Sequence, residues 1–194
     1  MSQKDFKIYI VGAGVSGLVA AQVLENKGYH PIILEASNRA GGRVKTDIKK
    51  GFQLDHGFQV LLSSYPAAQK YLDFKALKLQ ELKPGAVIFK NGKKQVIGDP
   101  LRDISTLFST LFSGIGTLSD KFKIFQLNLK LKNKSIEAIF SSDEISTKAY
   151  LREFGFSSQI ITQFFTPFFT GIFLENKLTT SSRMFEFVFK MFGE

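Results

Sequence analysis

Three glycines and one carboxylate near the start of the chain are the residues best placed to do chemistry. Gly12, Gly14 and Gly17 follow G-x-G-x-x-G spacing, and Glu35 stands 18 residues beyond Gly17. In that spacing Gly12 permits a tight turn, Gly14 leaves the backbone bare for a close approach, and Gly17 lets a helix pack against a strand. First-turn N–H groups of a helix have no intrahelical partner and lie at its positive dipole end, so they suit a diphosphate. A carboxylate at Glu35 can accept both hydroxyls of an adenosine ribose and repels a 2′-phosphate, which disfavours an NADP-type ligand. The alternative is that the three glycines serve turn and packing alone.

A second glycine loop follows directly, Asn38-Arg-Ala-Gly-Gly-Arg43. Gly41 and Gly42 allow further backbone approach, and Arg43 offers a fixed cation to the diphosphate region. Arg39 is expected to be a solvated loop residue. A plain nicotinamide-binding domain has no need of this loop and predicts another βαβ unit soon after residue 40. A longer dinucleotide such as FAD needs the extra contacts, so FAD is the expected cofactor and an NAD-dependent dehydrogenase the weaker reading.

These residues need particular elements around them. Phe6–Val11 reads as a buried strand, the stretch from Leu18 to Glu25 as a helix stopping near Asn26-Lys27-Gly28, and Pro31–Leu34 as a second strand. The order is strand, glycine turn, helix, strand. Val44–Leu54 fits one or two short strands around Lys49-Lys50-Gly51, and Tyr65–Phe74 reads as helical. The composition shifts near residue 75. Ala86–Phe89 and Gln95–Ile97 flank Asn91-Gly92 as a hairpin, Gly98-Asp99-Pro100 is a break, and Ile104 to Leu118 carries apolar residues at helical spacing. Further helices are expected over 118–131, 144–154, 157–166 and 181–192. The last is apolar on most sides and needs cover on nearly all of them. The expected fold class is α/β: a Rossmann-like FAD-binding βαβ domain over 1–75, then a partial, mainly helical α+β substrate domain over 76–194.

Composition removes several classes of chemistry. The 194 residues contain no Cys and two His, His30 and His56, which excludes disulfides, thiolate metal sites and a Cys nucleophile. No metal site is expected, and any redox step must rest on a cofactor. The net charge of +9 comes from scattered lysines without a basic stripe, so no nucleic-acid partner is expected. The chain has 21 Phe and no Trp. Phe needs no hydrogen-bond partner, so it suits a greasy substrate channel or ordinary core filling equally. Ile104–Ser119 and Phe154–Leu174 are uncharged but broken by polar residues, Gly or Pro, and do not read as membrane spans. A cytoplasmic location is expected, with peripheral membrane contact as a variant of it.

Residues 6–62 resemble the N-terminus of the flavin-dependent amine oxidase, protoporphyrinogen oxidase and phytoene desaturase superfamily. The matching residues are Val11-Gly-Ala-Gly-Val-Ser-Gly-Leu18, Glu35-Ala36, Gly41-Gly-Arg43 and Asp55-His-Gly-Phe58. A weaker likeness continues through Phe165–Leu174 and Ser181–Phe185. The resemblance implies that FAD is held by Gly12, Gly14, Ser16, Gly17, Glu35, Ala36, Gly42 and Arg43, with Gly57 and Phe58 lining the flavin. His56 is expected to pack against the cofactor domain as a loop residue. The resemblance also implies hydride transfer from a C–N or C–C bond of an apolar or amine small-molecule substrate to the flavin.

Members of that superfamily are about twice this length and supply a late Gly-Asp motif. The one such pair here, Gly98-Asp99, reads as a turn. An N-terminal fragment is therefore expected, lacking a C-terminal section or completed by another chain. An inactive truncated flavoprotein is the alternative, and in that case the apolar terminal helix would be exposed. No residue is assigned a catalytic role.

Overall fold

The computed structural model describes residues 7–57, 60–82, 85–90, 92–98 and 114–193. It divides into two compact units, Met1–Leu72 and Asp73–Glu194. Phe58, Asn91, Asp99, Pro100 and the helix expected from Ile104 lie outside the described residues, apart from the end of that segment at 114–118.

The first unit opens with strand β1 (Tyr9–Val11), helix α1 (Val15–Glu25) and strand β2 (Ile32–Leu34). The strands pair in parallel, Tyr9 with Ile32 and Val11 with Leu34, which makes the right-handed βαβ crossover the natural connection. Helix α1 ends where Gly28 takes a φ of +83°, a conformation suited to glycine, while Tyr29 N–H donates to Leu24 O at 3.1 Å. A short 3₁₀ turn (Gly42–Val44) leads into the antiparallel pair β3 (Thr46–Lys49) and β4 (Phe52–Asp55). Lys50 and Gly51 turn between them, both with positive φ. The expectation of a buried first strand is corrected. Val11 is 87% exposed, and Tyr9, Ile32 and Leu34 are exposed as well. Parallel strands are normally covered on both faces. Among the described residues α1 supplies the helical cover of this pair, and the rest of the strand surface stays open.

One helix expected near Tyr65–Phe74 is two short ones, α2 (Pro66–Tyr71) and α3 (Phe74–Leu77). Leu72 is extended, and the Asp73 carboxylate accepts from Lys75 N–H at 2.9 Å and Ala76 N–H at 3.1 Å, starting a new helix.

The second unit continues with the hairpin β5 (Gly85–Lys90) and β6 (Lys93–Gly98). Among the described residues the helices that follow are α4 (Leu118–Lys132), α5 (Ile136–Phe140), α6 (Thr147–Glu153), α7 (Ser158–Ile160), α8 (Thr166–Phe173) and α9 (Ser182–Gly193). Helices α5 and α8 were not expected. A widened π turn over Ile161–Phe165 joins α7 to α8, with Thr166 N–H donating to Ile161 O. Pro167 lacks an N–H, and the widened turn lets the helix run on through it.

Helix α9 has the cover that its apolar sides need: Phe185, Val188 and Met191 are buried at its centre. Phe185 contacts the rings of Phe165 (centroids 5.9 Å apart) and Phe169 (4.9 Å), and Phe156 meets Phe165 at 5.0 Å. Ile115, Leu127, Leu131, Leu151 and Leu178 close the core. These phenylalanines are packed on one another, which favours core filling over a channel for them.

Two buried polar clusters tie the helices together. Asp120 is 1% exposed and accepts from Thr117 N–H (2.7 Å), Thr117 Oγ1 (2.8 Å), Ser157 N–H (2.8 Å) and Ser157 Oγ (2.6 Å), joining the starts of α4 and α7. Glu186 on α9 accepts from Tyr150 Oη at 2.7 Å and Lys134 Nζ at 2.5 Å.

Candidate dinucleotide site

The site begins where β1 hands over to α1. Gly12 has a φ of +97°, and its N–H donates to Leu34 O at 2.7 Å. Only glycine adopts that conformation without strain, so the turn is fixed by its residue type. Gly17 lies over the same turn: a Cβ there would sit 2.0 Å from Gly12 O. This is the close helix–strand packing that the spacing predicts. Gly14 differs. A Cβ on it would meet nothing within 4 Å, so its bare backbone faces open space.

Gly14 is also the residue that caps α1, and no side chain caps that helix end. The first turn, Val15-Ser16-Gly17, carries no acidic residue and Ser16 is exposed. Its N–H groups therefore keep the orphan donors and positive dipole end of a helix start.

The second glycine loop folds back onto this turn. Gly41 N–H donates to Ala13 O at 2.8 Å, and Gly41 bridges Gly14 in parallel fashion. A Cβ on Gly42 would lie 3.3 Å from Gly14 Cα, and Gly41 and Gly42 have φ values of +121° and +55°. Two stretches of bare backbone are thereby set side by side. Arg43 is exposed, and its guanidinium has no hydrogen bond or ion pair among the described residues. Gly57 is brought in through Arg43: a Cβ on Gly57 would meet Arg43 O at 2.6 Å. Ala36 is exposed in the loop after Glu35.

Glu35 follows β2 immediately and is half-buried. Its Oε2 accepts from Ala13 N–H at 2.7 Å, and its Oε1 accepts from Ser37 N–H at 2.8 Å and Ser37 Oγ at 2.7 Å. The Ala13 N–H first, then the two Ser37 donors, pull the carboxyl down from its usual 4.5 to about 2. Glu35 is thus a permanent anion that also braces the glycine turn. A carboxylate offers about four lone-pair sites, so Oε2 keeps acceptor capacity for a further donor.

Sequence reading missed Ser37. Its signal was there, a hydroxyl two residues after a carboxylate, the spacing of a local side chain–backbone turn. Lys45 Nζ donates to Ser37 Oγ at 3.2 Å and completes the small network.

One expectation is corrected here. Arg39 is not a freely solvated loop residue: it pairs with Asp47 and donates to Thr46 O at 3.0 Å, pinning the loop to β3. His56 is an exposed loop residue held against β3, with Nε2 2.9 Å from Asp47 Oδ2. The hydrogen bond from His56 holds the Asp47 carboxyl below its usual range, with the charges of His56 and Arg39 adding to it. Among the described residues, no group of three or more His, Asp or Glu is placed to hold a metal ion. No helix among them is long and apolar enough to cross a membrane.

The chain is similar to known proteins over most of its length. The chain is 27% identical over 169 residues to protoporphyrinogen oxidase 2, chloroplastic/mitochondrial, of Arabidopsis thaliana, covering 85% of this chain and 32% of that protein. It is 31% identical over 162 residues to the L-amino-acid oxidase of Crotalus adamanteus, covering 77% of this chain and 30% of that one. The chain thus spans about a third of the length of these curated relatives.

Among solved structures, a putrescine oxidase variant from a redesign of cofactor binding matches 97% of this chain and 43% of its own, with a TM-score of 0.62 and 18% identity. Cyclohexylamine oxidase from Brevibacterium oxydans IH-35A matches 86% of this chain and 37% of its own, with a TM-score of 0.56 and 18% identity. At such identities the likeness is one of fold, and it is the α/β fold of these oxidases. The profile described as Flavin containing amine oxidoreductase matches residues 15–193, and the chain belongs to that family.

Proposed function

We propose that this chain binds FAD across the β1–α1 turn and forms the cofactor-binding part of an oxidoreductase. The observation that carries the proposal is the bare backbone of Gly14 at the uncapped start of α1, with Gly42 packed so close that a Cβ on it would lie 3.3 Å from Gly14 Cα, and Glu35 fixed beside it through Ala13. That arrangement fits a diphosphate flanked by an adenosine. First-turn N–H groups of Val15, Ser16 and Gly17 donate to the phosphates, and Arg43 balances their charge. Glu35 accepts a ribose hydroxyl through the free capacity of Oε2, and Ala36 lies at the adenosine side. Gly57, with Phe58 after it in the sequence, belongs to the flavin side.

When bound, FAD would supply the hydride chemistry, with a C–N or C–C bond of an amine or apolar substrate as the hydride source. The chain's own residues bind and orient it. Because Glu35 stays ionised down to about pH 2, its acceptor role does not depend on pH in the neutral range. Arg43, beside the second glycine loop, and Lys45, whose charge reaches Glu35, suit the anionic diphosphate.

A second reading is a flavin-binding chain that needs a partner chain to act. The open faces of β1 and β2, with Val11 87% and Leu34 49% exposed, favour it.

The test is flavin retention. The purified protein is expected to carry FAD, seen in the oxidised-flavin absorbance bands, and Glu35→Ala is expected to lose it. Unchanged flavin content in that variant would remove Glu35 from the site. An added amine or apolar substrate that bleaches the bound flavin without air supports the first reading, and bleaching only when a partner chain is supplied supports the second.

A further inference from the structure

Helix α4 carries two apolar faces. One is the core face, with Leu127 and Leu131 fully buried and Asp120 at 1% exposure. The other points to solvent: Leu118 is 71% exposed, Phe122 61%, Phe125 42% and Leu129 47%. At about 100° per residue, these four fall within an arc of about 60°, diametrically opposite the buried row. Their spacing of four, three and four residues makes one unbroken stripe. A soluble helix normally turns polar residues outward at those positions, so this stripe requires a partner.

The charges around the stripe narrow the partner's chemistry. Helix α4 contains Lys121, Lys123, Lys130 and Lys132, and its one acidic residue, Asp120, is buried. Lys121 and Lys132 border the stripe on one side. Lys130 lies on the other flank, with its Nζ 5.4 Å from the Tyr150 ring centroid. Lys123 is held there by Gly155 O. The accessible charge of the helix is entirely positive, within a chain of net charge +9.

A second copy packed through the same stripe would set one lysine border against another, which repulsion opposes. An anionic bilayer surface satisfies both features at once. The stripe enters the headgroup–acyl boundary while the bordering lysines meet the phosphates.

We infer that α4 is an interfacial helix that docks this chain on an anionic lipid surface. The geometry is of a helix lying on the membrane rather than spanning it. The inference is independent of the flavin proposal, and its readout is vesicle binding rather than activity.

The test is flotation of the full chain with vesicles of equimolar phosphatidylcholine and phosphatidylglycerol, against vesicles of phosphatidylcholine alone. The chain is expected to float with the anionic vesicles and to release as salt rises. The double variant Phe122→Ser/Phe125→Ser is expected to lower the partition coefficient on the order of 100-fold, at about tenfold per apolar side chain removed. Lys121→Gln/Lys132→Gln lowers it about fivefold per lysine. Phe122, Phe125 and Lys132 are exposed and Lys121 is half-buried, and circular dichroism checks that the helices persist.

The chain has no Trp, so Phe122→Trp gives a single reporter that keeps the stripe. Its emission is expected to shift to the blue on anionic vesicles. Absence of wild-type flotation, flotation that both double variants leave unchanged, or a dimer in sedimentation that Phe122→Ser/Phe125→Ser abolishes would each overturn the inference.

Discussion

Alanine at Gly17 and alanine at Gly14 should do opposite things, although the two glycines are three residues apart. At Gly17 the new Cβ would stand 2.0 Å from Gly12 O, 3.2 Å from Gly12 C and 3.3 Å from Ile10 Cγ2. Side-chain carbons essentially never come within 3.0 Å of such atoms, so α1 and the glycine turn must part by at least the missing 1.0 Å (3.0 less 2.0). Overpacking of that kind costs about 1–3 kcal/mol. Local opening of the βαβ unit should then rise roughly 5- to 150-fold, read as faster amide exchange in peptides covering 7–34.

At Gly14 a Cβ meets nothing, and the backbone is extended at φ −77° and ψ 178°, which any residue adopts. Gly14→Ala should leave exchange unchanged or slow it slightly, since it costs the unfolded chain about 0.4–1 kcal/mol of conformational freedom. Yet the methyl projects where the diphosphate must rest. Displacing one charge-assisted hydrogen bond of about 1.5–3 kcal/mol predicts FAD binding roughly 10- to 150-fold weaker. Hydrogen-exchange mass spectrometry and a flavin fluorescence titration on the two variants read both quantities. Equal FAD affinity in wild type and Gly14→Ala, or unchanged exchange in Gly17→Ala, would refute the reasoning.

Three further predictions follow from the same contacts. Arg43→Ala should weaken FAD binding about tenfold and flatten its salt dependence, because the guanidinium supplies a charge-assisted contact and holds nothing else in the described structure; equal salt slopes would contradict this. Burial alone would raise the Asp120 carboxyl, but the donors from Ser157 and Thr117 outweigh it and hold it below its usual value, so Asp120→Ala should cost about 3 kcal/mol in urea unfolding followed by circular dichroism. Glu35 has a depressed folded pKa, so its contribution to the first unit is complete above about pH 4.5 and is lost as pH falls toward about 2; amide exchange at Ala13 should quicken across that window, and Glu35→Gln should remove the transition.

What the sequence made legible was local. The turn at Gly12, the packing at Gly17, the stop at Gly28 and the Lys50-Gly51 hairpin each depend on a residue's own backbone preference, and each stands where its type implied. What it hid was non-local. The Arg39–Asp47 pair joins residues eight apart across a loop whose path no periodicity reveals. The brace from Glu35 to Ala13 spans 22 residues and exists only once β1 and β2 are paired. The break at Leu72-Asp73 was masked because Asp is common both inside and before helices, and only its cap geometry decides. The stretch after Phe165 was obscured by Pro167, which reads as a helix end unless a widened turn precedes it. Burial was the hardest property to foresee. Apolar residues at Val11 and Phe122 look like core, and only the placement of neighbouring elements shows that they face outward.

The central claim is a diphosphate resting on bare backbone at the start of α1, and amide chemical shifts followed during an FAD titration test it most directly. The account predicts saturable binding with the largest shifts at Gly12 to Gly17 and Gly41 to Arg43. Saturable binding that leaves those amides unmoved, with shifts confined to the second unit, would contradict it.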